Sequence, residues 1–209
     1  MSQIGRQYEP ARAETRSQRS PIVALSQEVA ERIAAGEVIE RPASVVKELL
    51  ENALDAGSRD IRIEVRGGGL LLIRVSDDGY GIPADELERA MQRHTTSKIS
   101  AVEDLDRLRT LGFRGEALAS IATISELTLF SRVAETEASE QEEEPAERAG
   151  VWVTVRGGEV MQRGRRARLP GTTVSVRDLF YNVPARLKFT GEARGENKAI
   201  VQLVQRYAV

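Results

Sequence analysis

Three polar residues on one predicted helix have types and spacing suited to chemistry. Glu48, Asn52 and Asp55 fall within roughly 60° of one another on a helical wheel, beside a broad apolar face. Lys47 and Glu51 are predicted to point to solvent. A carboxylate at the margin of a buried face can accept a proton from water, and an amide oxygen there can bind a hard cation such as Mg²⁺. An ordinary amphipathic helix with polar edge residues explains the same pattern. The helix alone therefore does not distinguish a functional site from an ordinary surface helix.

A glycine-containing segment, GFRGEALASIATI at 112–124, precedes an apolar helical run. Gly112 and Gly115 supply bare backbone, and a glycine loop that opens a helix points several N–H groups outward, with the helix dipole behind them. That arrangement binds phosphate. A plain tight turn before a helix would use the same residues, and short glycine motifs often match by accident.

A third group of residues lies at the ends of predicted strands. Asp77 follows the strand LLLIRV, and Gly79 and Gly81 come directly behind it. A carboxylate there can accept a hydrogen bond from the N6 amine of adenine, where guanine offers a carbonyl oxygen. A β-turn would use the same residues. Gly171 and Thr172 begin a later strand, where a hydroxyl can bond a ligand or its water, although alone they mark only a strand start.

The elements that must position these residues are predicted to form an α/β domain. The 209 residues are 41% hydrophobic, which suits one large domain or one and a half. Helices are predicted over 22–38, from Pro42 to Gly57, over 83–94, from the glycine loop to Ile124, and at the C-terminal end. Strands are predicted over 61–65, 70–75, 126–133, 151–156 and 172–180, with Trp152 in the core. Short, glycine-linked strands favour a largely antiparallel sheet.

The composition argues against several kinds of site and compartment. Cysteine is absent, which excludes disulfides, thiolate metal sites and a cysteine nucleophile. The single histidine, His94, argues against a histidine-based zinc site or a Ser-His-Asp triad, and a structural role is expected for it. No apolar run approaches a membrane span, and the N-terminus lacks the apolar region of a signal peptide. A cytoplasmic protein that does not contact a membrane is therefore expected.

The charge is distributed unevenly along the chain. The segment 134–149 holds seven glutamates and one arginine, so that the rest of the chain carries +4 although the whole chain carries −2. This acidic insert and residues 1–20 are predicted to be disordered. The basic stretch RGRRAR at 163–168 permits a nucleic-acid partner, although a solvated loop explains it equally well.

Taken together, the motifs ELLEN, DDGYG, GFRGEAL and GTT stand in the order found in the GHKL ATPase superfamily. Within it the chain closely resembles the MutL mismatch-repair family, through residues 25–57, 93–99, 111–124 and 178–189. The resemblance implies a two-layer α/β sandwich of the GHKL ATPase type, with a mixed, mostly antiparallel sheet, helices on one face and the nucleotide in between. Residues 21–209 would form this domain, and a second, transducer domain would lie outside this chain.

The resemblance also implies roles for individual residues. Glu48 is expected to be the general base that activates the attacking water, and Asn52 to bind Mg²⁺. Asp77 is expected to bind the adenine amine, assisted by Thr172 directly or through water, and Gly81 is expected to be a nucleotide-binding residue. The other expected nucleotide-binding residues are Thr96, Ser97 and Lys98 in a lid region, and Gly112, Phe113, Arg114, Gly115, Glu116, Ala117 and Leu118 in a phosphate loop.

One departure from the family pattern concerns Asp78, where many relatives have asparagine. A second negative charge beside Asp77 could raise the pKa of that carboxyl group or alter metal handling.

The function that the resemblance implies is an ATP-binding and hydrolysing switch with ATP and Mg²⁺ as cofactors. The ATP state would be coupled to closure of two protomers and to engagement of a mismatch-recognition protein, downstream repair factors and DNA. In that family a lysine from the second domain reaches the γ-phosphate, so this chain alone is expected to be a monomer with weak, Mg-dependent ATPase activity. The alternative is a nucleotide-binding interaction or DNA-contact module with little turnover. A histidine-type protein kinase is disfavoured by ELLEN together with GFRGEAL.

Overall fold

The computed structural model describes residues 22–93, 95, 115–134 and 149–208. The helices in this part of the chain are α1 (Gln27–Val38), α2 (Pro42–Asp55), α3 (Ala117–Thr123), α4 (Pro184–Phe189) and α5 (Ala193–Tyr207). The strands are β1 (Ile61–Arg66), β2 (Leu72–Asp77), β3 (Glu126–Arg132), β4 (Ala149–Arg156), β5 (Glu159–Ala167) and β6 (Gly171–Arg177). The expectations for residues 1–20, for His94 and for the acidic insert from 135 to 148 lie outside the described residues.

The six strands form one sheet in the order β1-β2-β6-β3-β4-β5. Every pairing between the described strands is antiparallel. This confirms a mostly antiparallel sheet, and the parallel component expected of a mixed sheet is not found among these pairs. Because β6 and β3 meet at the centre, strands that are far apart in sequence bring their ends together there.

One face of the sheet carries the core beneath the helices. Side chains alternate along each strand, so every second residue points to this face. Helix α2 supplies Val45, Val46 and Leu49, which are at most 2% exposed. Each such side chain contributes about 1.5–3 kcal/mol through burial. The strand residues that join this core are Ile73, Val75, Leu127, Leu129, Val153, Val155, Val174 and Val176. The helix layer over one sheet face confirms the predicted α/β sandwich.

The opposite face of the sheet is polar. Arg74 bridges two strands on this face, where its Nη1 lies 2.9 Å from Glu64 Oε2 and its Nε donates to Ser175 Oγ at 3.0 Å. Trp152 is half-buried on the same face, because the alternation that sends Val153 into the core turns its neighbour outward. The prediction that Trp152 belongs to the core is therefore wrong.

Two further segments differ from expectation. Residues 83–94 were predicted to be helical, but the described part forms turns and one 3-10 turn at Arg89–Met91. Leu87 and Met91 are the buried apolar residues of this segment. Two such residues form too narrow an apolar face to pack a long helix against the core. The basic stretch 163–168 lies mostly in strand β5, exposed at the sheet edge, rather than in a loop. Charged side chains are a common means of protecting such an edge from unwanted strand pairing.

Within the described ranges, no helix combines enough residues with enough apolar character to cross a membrane.

Candidate functional site

A cavity of about 1160 Å³ opens between the helix layer and the sheet. Small-molecule sites commonly have volumes of ~300–1,000 Å³, so a ligand of nucleotide size has room here. Its walls include every predicted site residue that the structure describes: Glu48, Asn52, Asp77, Gly81, Gly115, Glu116, Ala117, Leu118 and Thr172. The predicted residues Thr96, Ser97, Lys98, Gly112, Phe113 and Arg114 lie outside the described residues. The shared location is observed, and the roles of these residues stay predictions.

Helix α2 carries two of these side chains along one edge. It begins at Pro42, whose ring suits the first helical position, and Gly57 follows its end with φ +71°. Its apolar residues face the core, which leaves Glu48 and Asn52 one turn apart at the margin. The Glu48 side chain is 32% exposed. A carboxylate in this position is open to water and to a ligand at once.

Glu51 on the same helix was predicted to point to solvent, and this prediction is wrong. Glu51 is 6% exposed. The Tyr207 hydroxyl donates to Glu51 Oε1 at 2.6 Å, and Lys47 Nζ lies 3.2 Å from the same oxygen. The physical reason is that α5 packs against this side of α2, and a helical wheel of α2 alone contains no sign of that neighbour. Burial, together with the bond to Glu51, raises the pKa of Tyr207 to about 12.

Three hydrogen-bond donors contact Asp77, the last residue of β2. Its Oδ1 accepts hydrogen bonds from Gly79 N at 2.9 Å, Thr172 N at 3.2 Å and Ser58 Oγ at 3.3 Å. Burial raises the pKa of Asp77, and these hydrogen bonds act in the opposite direction. The carboxylate is thus fixed in orientation, with one oxygen engaged by the protein and the group as a whole on the cavity wall.

The neighbouring carboxylate of Asp78 is turned to a different part of the chain. It accepts hydrogen bonds from Arg59 N at 2.7 Å and Asp60 N at 2.9 Å, which hold its pKa below the ordinary value. The pKa of Asp77 is raised, as the sequence suggested, but burial of Asp77 is the cause rather than the charge of Asp78.

The structure distinguishes Thr172 from Thr173 at the start of β6. Thr172 is 8% exposed and lines the cavity. Thr173 points to the polar face of the sheet, where its hydroxyl donates to Ser76 Oγ at 3.0 Å. Of the two threonines, Thr172 is therefore the one placed to contact a ligand.

Ser131 near the end of β3 does not line the cavity, but it contacts the cavity residue Thr172, and sequence reasoning missed it. Its Oγ lies 2.9 Å from Thr172 Oγ1, donates to Gly171 O at 3.0 Å and accepts from Ile82 N at 2.8 Å. Because Ser131 uses its one hydrogen on Gly171, the Thr172 hydroxyl donates to Ser131. Only the strand register, which pairs Ser131 with Thr172, identifies this residue, and no motif marks it.

Two glycines let the strand ends approach one another. Gly81 has φ +77°, and a Cβ there would lie 2.1 Å from Arg132 O. Gly171 has φ +116°, and a Cβ there would lie 2.1 Å from Asp77 O. No side chain fits at either position without moving the backbone.

The start of α3 forms the remaining wall among the described residues. Gly115 has φ +61°, and Glu116 precedes the first residue of the helix. Gly115 and the next three residues all line the cavity. The first-turn N–H groups of any helix have no acceptor within the helix, so this wall offers donors to an anion.

Comparison with known proteins places the chain in a family. Residues 39–145 match the family described as histidine kinase-, DNA gyrase B-, and HSP90-like ATPase. A DNA mismatch repair protein MutL from Desulforudis audaxviator is 51% identical over 185 residues, which are 88% of this chain and 31% of that relative. The chain thus spans roughly a third of the length of the curated relatives that it matches.

Solved structures give the same result. The Aquifex aeolicus MutL ATPase domain complexed with ADP is 33% identical with a TM-score of 0.58, over 82% of this chain and 56% of that one. The N-terminal domain of a DNA repair protein is 30% identical with a TM-score of 0.68, over 86% of this chain and 48% of that one. The chain therefore belongs to the histidine kinase-, DNA gyrase B- and HSP90-like ATPases and, within them, to the MutL family of DNA mismatch repair proteins.

Proposed function

We propose that this chain is the ATP-binding and hydrolysing switch domain of a MutL-type mismatch repair protein. The observation that carries the proposal is that Glu48, Asn52 and Asp77, from separate motifs, line one cavity of nucleotide size. Family membership supports it, and so does a similar solved domain that was obtained as an ADP complex.

The base of the nucleotide lies at the Asp77 end in this proposal. Oδ1 of Asp77 already accepts three hydrogen bonds from the protein, and Oδ2 accepts one from the adenine N6 amine. Thr172 lies beside it, and its hydroxyl oxygen can accept a hydrogen bond from the base or from a bridging water. A guanine would bring its carbonyl oxygen against the carboxylate, so that two acceptors would face each other.

The phosphates lie between the edge of α2 and the start of α3. Asn52 would hold Mg²⁺ through its amide oxygen, a ligand type that this hard cation prefers. When bound, Mg²⁺ neutralises charge on the transferring phosphoryl group.

Hydrolysis depends on Glu48 as the general base. The carboxylate accepts a proton from the attacking water and orients it toward the γ-phosphate. Backbone N–H groups at the start of α3 receive the phosphate oxygens. In the longer protein, the ATP state couples to protomer closure and to repair partners and DNA, and a second domain contributes the lysine that completes the site.

The test separates the two residues on α2. Glu48→Ala should lower the rate of phosphate release by about 100-fold or more while ATP affinity stays within a few-fold, because a base acts in the transition state. Asn52→Ala should weaken ATP binding in the presence of Mg²⁺ and change it little in EDTA. Calorimetry and steady-state phosphate release measure both effects.

The matched control is Glu28→Ala, which removes an exposed glutamate of α1 that does not line the cavity. It should behave as the parent chain does. Loss of binding in Glu48→Ala together with intact Mg-dependent binding in Asn52→Ala would show that the two roles are wrongly assigned.

A further inference from the structure

The described wall of the cavity is more acidic than a site for a polyanion would suggest. Six of its residues are carboxylates: Glu37, Glu48, Glu51, Asp77, Glu86 and Glu116. Two are cations, Lys47 and Arg89. A bound triphosphate adds further negative charge beside these carboxylates, and like charges favour protonation of a carboxyl group. The placement of each cation therefore matters for any carboxylate that must stay ionised.

Lys47 is held between two of these carboxylates. Its Nζ lies 3.2 Å from Glu51 Oε1 and 3.7 Å from Glu48 Oε1. The Lys47 side chain is 46% exposed, and a free lysine at such a position would spread over many rotamers. The contact with Glu51 restricts the ammonium group to the neighbourhood of Glu48.

Glu51 is itself fixed from a second helix. Its side chain is 8% exposed, and Oε1 accepts the hydroxyl of Tyr207 at 2.6 Å. Tyr207 is the last residue of α5. A continuous chain of polar contacts thus runs from α5 through Glu51 and Lys47 to Glu48. Lys47 and Tyr207 lie outside the nucleotide motifs, although Glu48 and Glu51 belong to ELLEN.

We propose that Lys47 is a positioning residue for Glu48, and that Glu51 and Tyr207 hold its ammonium group in place. The inference rests on the proposed function, because it takes Glu48 as the general base. A base must be ionised to accept a proton from water. The Lys47 ammonium group places a positive charge 3.7 Å from Glu48 Oε1, whereas the phosphates and the carboxylate of Glu51 are negative neighbours of the same group.

Charged groups also face this pair from the other elements around the cavity. Those that line the same cavity are Glu37 on α1, Glu86 and Arg89 on the 83–91 segment, Asp77 on β2 and Glu116 before α3. All of them stay unchanged in the variants below. A difference in pH dependence between two variants therefore reports on Lys47 and on the groups that hold it.

The experiment measures kcat for ATP hydrolysis with Mg²⁺ between pH 5 and 8. In Lys47→Met the acidic half-maximum of the profile should move upward by about half a pH unit, the size expected for a partly exposed ion pair. Lys47→Arg should restore the parent profile, since it keeps the charge. Lys198→Met removes an exposed lysine of α5 outside the cavity and should leave the profile where it is.

Tyr207→Phe tests the outer part of the chain of contacts, because it removes one hydroxyl and keeps the ring. The half-maximum should move in the same direction as in Lys47→Met, but by less. In the Lys47→Met background the same substitution should produce no further shift, since Tyr207 acts through Lys47. Two additive shifts would contradict this order of action.

The outcomes separate this inference from the proposed function. If Glu48→Ala hydrolyses ATP as fast as the parent chain, the proposed function fails. If Glu48→Ala is inactive but the Lys47→Met profile coincides with the parent profile, only the positioning role fails. A loss of rate in Lys47→Met that is equal at every pH also overturns the positioning role, because a purely structural residue would behave in that way.

Discussion

The two ends of the cavity are built in different ways. At one end, Asp77 lies where three strands meet, and two backbone N–H groups and one hydroxyl hold its Oδ1. At the other end, Glu48 and Asn52 project from the edge of α2, and the cation nearest Glu48 is held by side chains alone. The main chain thus fixes the end proposed for recognition, whereas side chains arrange the end proposed for hydrolysis.

This difference predicts how each end responds to substitution. At the strand end a small change disturbs the backbone, because Gly81 and Gly171 leave no space for a Cβ. At the helix end a change should spare the fold and alter the chemistry. Three experiments on the strand end test this difference.

The largest effect is expected at Gly171. Gly171→Ala should lower the free energy of unfolding by about 3 kcal/mol or more, because it combines φ +116° with a Cβ 2.1 Å from Asp77 O. Urea unfolding measures the loss. Gly57→Ala is the matched control, since its φ is +71° but nothing lies within 4 Å of the added Cβ, and it should lose only about 1 kcal/mol. If both variants lost the same free energy of unfolding, the close approach of the strands at Gly171 would contribute nothing to the loss.

The next effect concerns the choice of nucleotide. The chain should prefer ATP to GTP by about 10- to 100-fold, which corresponds to about 1–3 kcal/mol for two opposed acceptors. Asp77→Asn should narrow this ratio, because an amide can both donate and accept. Asp78→Asn is the control, since its carboxylate faces the backbone of Arg59 and Asp60. Competition binding gives both ratios, and an equal affinity for ATP and GTP in the parent chain would exclude Asp77 as the recognition group.

The smallest expected effect concerns how stability depends on pH, which should have opposite signs for the neighbouring carboxylates of Asp77 and Asp78. The pKa of Asp77 is raised in the folded state, so the folded protein binds the proton more tightly, and the contribution of Asp77 to stability falls as pH rises above 3.8. The pKa of Asp78 is lowered, so its contribution is present above 3.8 and disappears as pH falls through the folded-state value.

Urea unfolding of Asp77→Asn and Asp78→Asn across acidic and neutral pH measures this contrast. As pH rises, the free energy of unfolding of Asp77→Asn should increase relative to that of the parent chain. The free energy of unfolding of Asp78→Asn should decrease relative to that of the parent chain. Parallel trends would mean that the two carboxylates share one environment, contrary to their hydrogen bonds.

The local pattern of the sequence predicted the parts of the site that depend on one element. The helical wheel of α2 placed Glu48 and Asn52 on one edge, and the strand end placed Asp77 beside glycines. The order of the motifs then predicted that these residues would meet in one site, and they line the same cavity. Their roles remain predictions, since location alone does not test them.

The errors have a common physical cause, which is contact between elements far apart in sequence. Glu51 is buried because α5, more than 140 residues later in the chain, packs over it. Ser131 contacts Thr172 because the register of β3 and β6 pairs the two residues. Trp152 has the hydrophobicity of a core residue, but the alternation of β4 turns it to the polar face of the sheet. No window of neighbouring residues contains this information.

The hydroxyl of Ser131 has a consequence for how a ligand binds. It forms one hydrogen-bonded group with Ile82, Gly171 and Thr172 through contacts within the protein. A site assembled from a free loop would lose conformational entropy on binding, but here that entropy is already lost when the chain folds. A base bound as proposed would meet a preorganised surface, and replacing one base by another should alter the rate at which the ligand leaves far more than the rate at which it arrives.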